Sequence, residues 1–204
     1  MLFYFEKLHI PEVASCYFRS KSGVNRVMIS QVGPGLFLSG LESALNLSVL
    51  SCRNITLIVN ASGLEDVVYP QLDGLRVLHV PVQDQPHAPL RHYFDPVGER
   101  IHQNQTGRTL VHCSAGRSRS PTLVIAYLMR FEGLSLRRAH EVVLDQRPFI
   151  RPNAGFWRQL MDYERTLFGR TTMRMARTSG GLLPETCGTL RTLQDPEPDY
   201  CINV

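Results

Sequence analysis

Short apolar runs alternate with longer amphipathic segments along most of the chain. Three runs rich in β-branched residues predict buried strands at 56–60, 76–82 and 109–112. A shorter apolar run at 36–38 follows a Gly-Pro-Gly turn at 33–35 and predicts a fourth strand. The strands therefore recur through the chain instead of clustering in one part of it.

Helical periodicity fills the segments around these runs. Leu90, Phe94, Val97 and Ile101 fall on one face of a predicted helix, and residues 41–51 also have helical character. Three more helices are predicted at 121–129, opened by a proline, at 135–146, and from 153 onward. This alternation predicts a single α/β domain whose mainly parallel central sheet is flanked by helices on both faces.

The two ends of the chain lack this pattern. Residues 1–27 show no clean periodicity and are predicted to form an N-terminal extension, so that the domain covers 28–170. Residues 171–204 form a predicted C-terminal tail that is ordered near the domain. Its last part contains an acidic, proline-punctuated segment at 195–199 and is predicted to be disordered.

Composition excludes several classes of protein. The hydrophobic fraction of 43% and the charged fraction of 20% are ordinary for a globular domain. No apolar run approaches the roughly 20 residues of a membrane span, and the N-terminus does not resemble a signal peptide. The net charge is +4 without a basic run, so no nucleic-acid partner is predicted.

Five cysteines form an odd set with neither metal-ligand spacing nor the pattern of a secreted disulfide scaffold. They indicate a reducing compartment, which we expect to be the cytoplasm, with the nucleus as a second location. All but two of the basic residues are arginines, whose planar donors match phosphate oxygens.

One segment concentrates the candidate chemistry. A buried strand ends at His112 and Cys113, and an arginine, Arg119, stands where the next helix begins. The five residues between them are short or flexible; they are Ser114, Ala115, Gly116, Arg117 and Ser118. Such a loop can turn several backbone N–H groups toward one anion, while the arginine grips two of its oxygens. The same positive field favours the thiolate form of the cysteine, which is a nucleophile for phosphorus.

This loop resembles the cysteine-x5-arginine signature of the protein tyrosine phosphatases, and its HCxAGxSRS form is similar to the dual-specificity branch. Other segments resemble the same branch in the same order: GLFLSG, VNAS, VPVQD, SPTLVIAYLM and RPNAGFWRQLMDYE. The resemblance covers residues 28–178 and is strongest with the small atypical members that lack a rhodanese-like docking domain. It implies a protein tyrosine phosphatase-like fold of the dual-specificity type.

The resemblance also implies roles for single residues. Cys113 would be the nucleophile and Arg119 the phosphate ligand, while Ser120 would hydrogen-bond the sulfur. His112 would orient the loop and help hold the thiolate, and Asn153 would brace the loop without touching the substrate. No metal or other cofactor is implied, because Arg119 and the backbone amides supply the positive charge.

The family also requires a general acid, supplied by an aspartate on a mobile loop. Asp84, just after the strand predicted to end at Val82, occupies that place. It would protonate the leaving oxygen and then activate water. Asp95 is the competing carboxylate, but it lies within a predicted helix.

The expected activity is hydrolysis of phosphotyrosine and of phosphoserine or phosphothreonine in proteins, through a phosphocysteine and without metal. By resemblance, the phosphoprotein substrates include mitogen-activated protein kinases. Arg117 stands where the branch more often carries an aliphatic residue, which leaves a phosphoinositide phosphatase as an alternative. A phosphate-binding scaffold without activity is a second alternative, although it predicts loss of the cysteine, the arginine or the aspartate.

Overall fold

Five strands form the central sheet of the computed structural model, which describes residues 28–178 and 181–185. They are β1 (Ile29–Gly33), β2 (Leu36–Ser39), β3 (Ile55–Asn60), β4 (Arg76–His79) and β5 (Arg108–His112). The spatial order is β1-β2-β5-β3-β4, in which β1 is antiparallel to β2 and all other neighbours are parallel. The predicted mainly parallel sheet is confirmed.

The register brings three strand ends together at one edge of the sheet. His112, the last residue of β5, lies opposite Ser39 at the end of β2 and Asn60 at the end of β3. Ligand sites in parallel sheets form beyond such carboxyl ends. The chain that leaves β5 therefore enters the middle of this edge.

Helices cover both faces of the sheet, as predicted. They are α1 (Leu41–Ala44), α2 (Leu47–Cys52), α3 (Phe94–Gln103), α4 (Arg119–Phe131), α5 (Leu136–Gln146) and α6 (Ala154–Phe168). Alternate strand residues point to opposite faces. Val111 belongs to a core shared with α3–α6, whereas Leu110 belongs to a smaller core with residues of α1 and α2.

Several predicted boundaries are wrong for local reasons. The single helix predicted at 41–51 is two helices, because Asn46 accepts a hydrogen bond from the Val49 amide (3.1 Å) and so starts a new one. The strand predicted to continue to Val82 ends at His79, since Pro81 has no amide to donate to a ladder. Helix α4 begins at Arg119, before the predicted start, and residues 90–93 form a 3-10 turn ahead of α3. Strand β1 was not predicted.

The described part of the predicted tail contains a small hairpin. Strands β6 (Met175–Thr178) and β7 (Gly181–Pro184) pair in antiparallel fashion after α6. The predicted extension at 1–27, and residues 186–204 with their predicted disorder, lie outside the described residues. Within the described ranges, no helix combines the length and the apolar character that crossing a membrane would require.

Candidate active site

The loop between β5 and α4 places Cys113 at the bottom of the site and Arg119 at the start of the helix. Both side chains are buried, with Cys113 2% and Arg119 6% exposed. The hydroxyl of Ser120, in the first turn of α4, donates a hydrogen bond to the sulfur of Cys113 (3.2 Å). The structure thus brings the predicted nucleophile, arginine and serine together.

The carbonyls of this loop are held by donors from outside the loop or from the helix that follows it. The donors are the Leu41 amide for Ser114 (3.1 Å), the Arg147 guanidinium for Ala115 (3.3 Å) and Gly116 (2.7 Å), the Arg151 amide for Arg117, and the Thr122 amide for Ser118 (3.1 Å). Since the C=O and N–H groups of a trans peptide point in opposite directions, carbonyls held in this way turn the loop amides to the other side, where those of Arg117 and Ser118 face the sulfur of Cys113. These hydrogen bonds therefore hold the loop in the shape of an anion-binding cradle without help from a bound anion.

Only glycine fits the middle of the loop. Gly116 has a φ of +66°, in the left-handed region, and a β-carbon there would lie 2.4 Å from the carbonyl oxygen of Ser39. A side chain would separate the loop from the end of β2.

Two opposing effects act on the thiol of Cys113. Burial raises its pKa, but hydrogen bonds from the Ser120 hydroxyl and from the amides of Ser120, Ser118 and Arg117 lower it, and the net effect is a lowered pKa. Donors that converge on sulfur favour the charged form over the neutral one. The site therefore stabilises a thiolate.

Hydrogen bonds from both terminal nitrogens of Arg119 hold its guanidinium in place. Its Nη1 atom donates to the carbonyls of Ser62 and Val82 (3.3 Å to Val82), and its Nη2 atom donates to the hydroxyl of Ser114 (3.1 Å). Among the described residues, its Nε atom is the only buried side-chain nitrogen or oxygen without a hydrogen-bond partner. A fixed guanidinium thus keeps one donor free.

Asp84 lies against the same loop. Its Oδ1 atom accepts hydrogen bonds from Ser118 (2.7 Å) and Asn153 (2.9 Å), and its Oδ2 atom lies 3.8 Å from the Nε atom of Arg119. Asp95 instead pairs with Arg130 (2.7 Å) and Tyr163. Of the two carboxylates that the sequence offers, Asp84 is the one brought to the loop.

Asn153 performs two tasks at the start of α6. Its Oδ1 atom caps the helix by accepting from the Phe156 amide (3.0 Å), while its Nδ2 atom donates to Asp84. The side chain that was expected to brace the phosphate loop therefore contacts the aspartate, which in turn contacts Ser118.

His112 is buried beneath the loop. Its Nδ1 atom faces the carbonyl of Cys113 (3.4 Å), which can only accept, so the Nε2 atom accepts from the hydroxyl of Tyr69 (2.7 Å). Burial lowers the pKa of His112 to about 4, and the nearby charge of Arg119 acts in the same direction. His112 is thus a neutral ring of fixed tautomer at neutral pH.

Sequence reasoning missed two residues of this site. Tyr69 lies in a loop without periodicity, and no local signal links it to His112. Arg147 follows an amphipathic helix, where an arginine is normally exposed, yet it is only 2% exposed. Arg117, in contrast, is exposed at the rim and its Nε atom donates to the carbonyl of Phe149 (3.2 Å).

Comparison with known proteins agrees with this geometry. The family model of the dual specificity phosphatase catalytic domain matches residues 36–166. Human dual specificity protein phosphatase 14 is 48% identical over 160 residues, which cover 77% of this chain and 79% of the relative. Human dual specificity protein phosphatase 18 is 41% identical over 159 residues, which cover 77% and 84%.

Solved structures show the same relationship. The crystal structure of human DUSP28 is 38% identical, with a TM-score of 0.65, and the match covers 72% of this chain and 98% of that one. A mouse putative dual specificity phosphatase complexed with zinc tungstate is 37% identical with a TM-score of 0.67, covering 74% and 94%.

The chain therefore belongs to the dual specificity phosphatase family, among its small atypical members. It is a phosphatase of phosphotyrosine and of phosphoserine or phosphothreonine in proteins.

Proposed function

We propose that Cys113 is the nucleophile of this phosphatase and that Asp84 is its general acid and base. The thiolate attacks phosphorus, the bond from phosphorus to the ester oxygen breaks, and protonated Asp84 gives its proton to the departing oxygen. Asp84, now a carboxylate, takes a proton from the water that attacks the phosphocysteine. Inorganic phosphate leaves and the thiolate is restored.

The observation that carries this proposal is the set of donors around the sulfur. The Ser120 hydroxyl and three backbone amides lower the pKa of a thiol that burial alone would keep neutral. The free Nε donor of Arg119 and the loop amides are suited to hold the phosphoryl oxygens as charge builds in the transition state.

Hydrolysis of p-nitrophenyl phosphate without added metal tests the proposal. We expect Cys113→Ser to abolish turnover, and Asp84→Ala to lower kcat by about 10²-fold, as the loss of a general acid does. Asp95→Asn is the matched control and should retain most of the activity once its folding is verified by circular dichroism. Turnover that survives Cys113→Ser, or that falls equally for the two aspartates, would overturn the assignment.

For substrates, we propose mitogen-activated protein kinases, on the strength of the family resemblance, in the cytoplasm and in the nucleus. The Cys113→Ser protein should retain the phosphorylated kinase in a pull-down and release it with vanadate. The contact of Arg117 with Phe149 does not favour the phosphoinositide alternative, because it directs one donor of that guanidinium to the protein's own backbone. Unequal effects of Arg117→Val on peptide and lipid turnover would restore that alternative.

A further inference from the structure

We propose that Arg147 is a positioning residue for the reaction: it clamps the back of the phosphate loop and places a buried positive charge behind the Cys113 thiolate. The inference rests on the proposed role of Cys113 as nucleophile. It concerns a residue at the end of α5 that lies outside the sequence signature.

The clamp acts on two consecutive peptide units. The Nε atom of Arg147 donates to the carbonyl of Gly116 (2.7 Å), and its Nη2 atom donates to the carbonyl of Ala115 (3.3 Å). In a planar trans peptide the C=O and N–H groups point in opposite directions. Carbonyls held toward Arg147 therefore turn the amides of Gly116 and Arg117 toward the other side of the loop.

One of these peptide units links Arg147 directly to the sulfur. This is the peptide unit between Gly116 and Arg117. Its carbonyl, that of Gly116, accepts from Arg147, and its N–H group, that of Arg117, donates to the sulfur of Cys113. Each bond polarises the same peptide group, so the hydrogen bond to Arg147 strengthens the one to sulfur.

Arg147 is a buried cation whose hydrogen-bond partners are neutral atoms. Within the described residues, no carboxylate lies within ion-pair distance of it, and its other partners are the neutral atoms of Met28, Ser30 and the Phe149 ring. Burial lowers the pKa of Arg147 to about 10, while the charge of Cys113 raises it, so the guanidinium stays charged at neutral pH. A buried cation is costly unless an anion offsets it, and the thiolate and the bound phosphate supply that anion.

The guanidinium of Arg147 packs directly against the backbone of the phosphate loop. A β-carbon on Gly116 would lie 2.5 Å from the Nη2 atom of Arg147, so loop and guanidinium are in direct contact. A lysine could keep the charge, but its single ammonium cannot reproduce the fork that holds both carbonyls.

The test compares Arg147→Met, which is neutral and similar in size, with Arg147→Lys. The readouts are the pH midpoint of Cys113 alkylation by iodoacetamide, followed by mass spectrometry, and the kinetics on p-nitrophenyl phosphate. We expect the methionine variant to move the midpoint up by about one pH unit and to lower kcat/KM more than tenfold. We expect the lysine variant to keep the midpoint near wild type and to lose less activity.

Arg138→Met is the matched control, because it removes the same charge from α5 at a position whose side chain is 61% exposed. It should change neither readout. An unchanged midpoint in a folded Arg147→Met protein, or equal losses in the methionine and lysine variants, would overturn the proposal. If Arg147→Met does not fold, Arg147→Gln, which keeps a donor for one carbonyl, carries the same test with the same expected shift.

Failure of the Arg147 proposal can be distinguished from failure of the proposed role of Cys113. The role of Cys113 fails if Cys113→Ser stays active or if alkylation of Cys113 leaves turnover intact. The role of Arg147 is contradicted only by the alkylation midpoint of its methionine variant or by equal losses of activity in its methionine and lysine variants.

Discussion

The charge state of the Cys113 sulfur depends on a small number of hydrogen-bond donors. The thiol is buried, and burial alone raises its pKa, so each donor that faces it determines whether a thiolate forms. Among the described residues, Ser120 supplies the only side-chain hydroxyl that lowers this pKa. Its effect can be separated from that of the backbone amides by mutation.

We expect Ser120→Ala to raise the pKa of Cys113 by about one, because a hydrogen bond to a charged group contributes roughly 1.5 kcal/mol or more. The sign follows from the bond: the hydroxyl stabilises the thiolate, so its loss favours the thiol and moves the acid limb of the pH–rate profile upward. The pH dependence of inactivation by iodoacetamide measures the shift.

Ser43→Ala is the control for this substitution. Ser43 is also a buried serine, but its hydroxyl donates to the carbonyl of Met28 (3.1 Å) and does not contact the sulfur. An identical pH profile for Ser120→Ala and wild type would contradict the role given to this hydroxyl.

How far single residues could be predicted depended on sequence distance. Cys113, Arg119 and Ser120 follow one another in a single loop and helix, so a local pattern predicts their proximity. Tyr69 and Arg147 reach the same site from distant segments through one or two contacts each, and neither contact leaves a periodic signal. Only the tertiary fold shows that they belong to the site.

At the scale of elements, α6 holds the loop that carries Asp84. Asn153 at its start donates to Asp84 (2.9 Å), and Gln159, two turns on, donates to the carbonyl of Ala88 (2.9 Å) and accepts from the Arg91 amide (2.7 Å). Between them, Gly155 packs directly on the backbone of Pro86. The loop that carries Asp84 is thus attached to α6 at several points.

Gly155→Ala should disturb that attachment. A β-carbon at Gly155 would lie 1.8 Å from the carbonyl oxygen of Pro86, so the loop must move away and take Asp84 with it. Displacement by about 1 Å can cost about 10²-fold in rate. We expect such a loss in kcat for a phosphotyrosine peptide, and a smaller one for p-nitrophenyl phosphate, whose leaving group needs less protonation.

Arg158→Ala, an exposed change on the same helix, should leave both rates near wild type. Equal losses on the two substrates by Gly155→Ala would show that the damage is not specific to the general acid. Stopped-flow or steady-state rates on the two substrates, with thermal melting as a check of folding, provide the comparison.

Elements were predictable where the apolar pattern was long. The runs that became β3 and β5 are strong signals, and each of these strands begins one residue before its predicted start. The apolar face of α3 is a strong signal too, although the first turn of the predicted helix is the 3-10 turn at 90–93. The break at Asn46 and the end of β4 at His79 depend on one cap and one proline, which weigh little against the apolar run in which they occur. Strand β1 has one fully buried residue, Val32, and so carries almost no pattern.

At the scale of the whole molecule, the order of the strands places the ends of β2, β5 and β3 side by side, and His112 sits at the centre of that edge. Full burial of an ionisable ring in this position makes the stability of the domain depend on pH. The folded protein holds His112 neutral, with a pKa of about 4 against an ordinary value of 6.5.

The sign of this dependence follows from proton binding. Between pH 6.5 and pH 4, His112 is protonated in the unfolded chain but neutral in the folded protein. Because the unfolded state binds the extra proton, acid favours unfolding. The difference of 2.5 in pKa corresponds to a loss of about 3 kcal/mol from the free energy of unfolding as the pH falls through this window. We expect His112→Gln, which cannot titrate there, to remove most of that loss, as measured by urea unfolding at pH 6.5 and pH 4.5. His140, whose pKa burial also lowers, provides the control: His140→Gln should leave the part due to His112 in place. The same fall in stability for wild type and His112→Gln would mean that another group carries it, and that the ring beneath the phosphate loop is not held neutral by the fold.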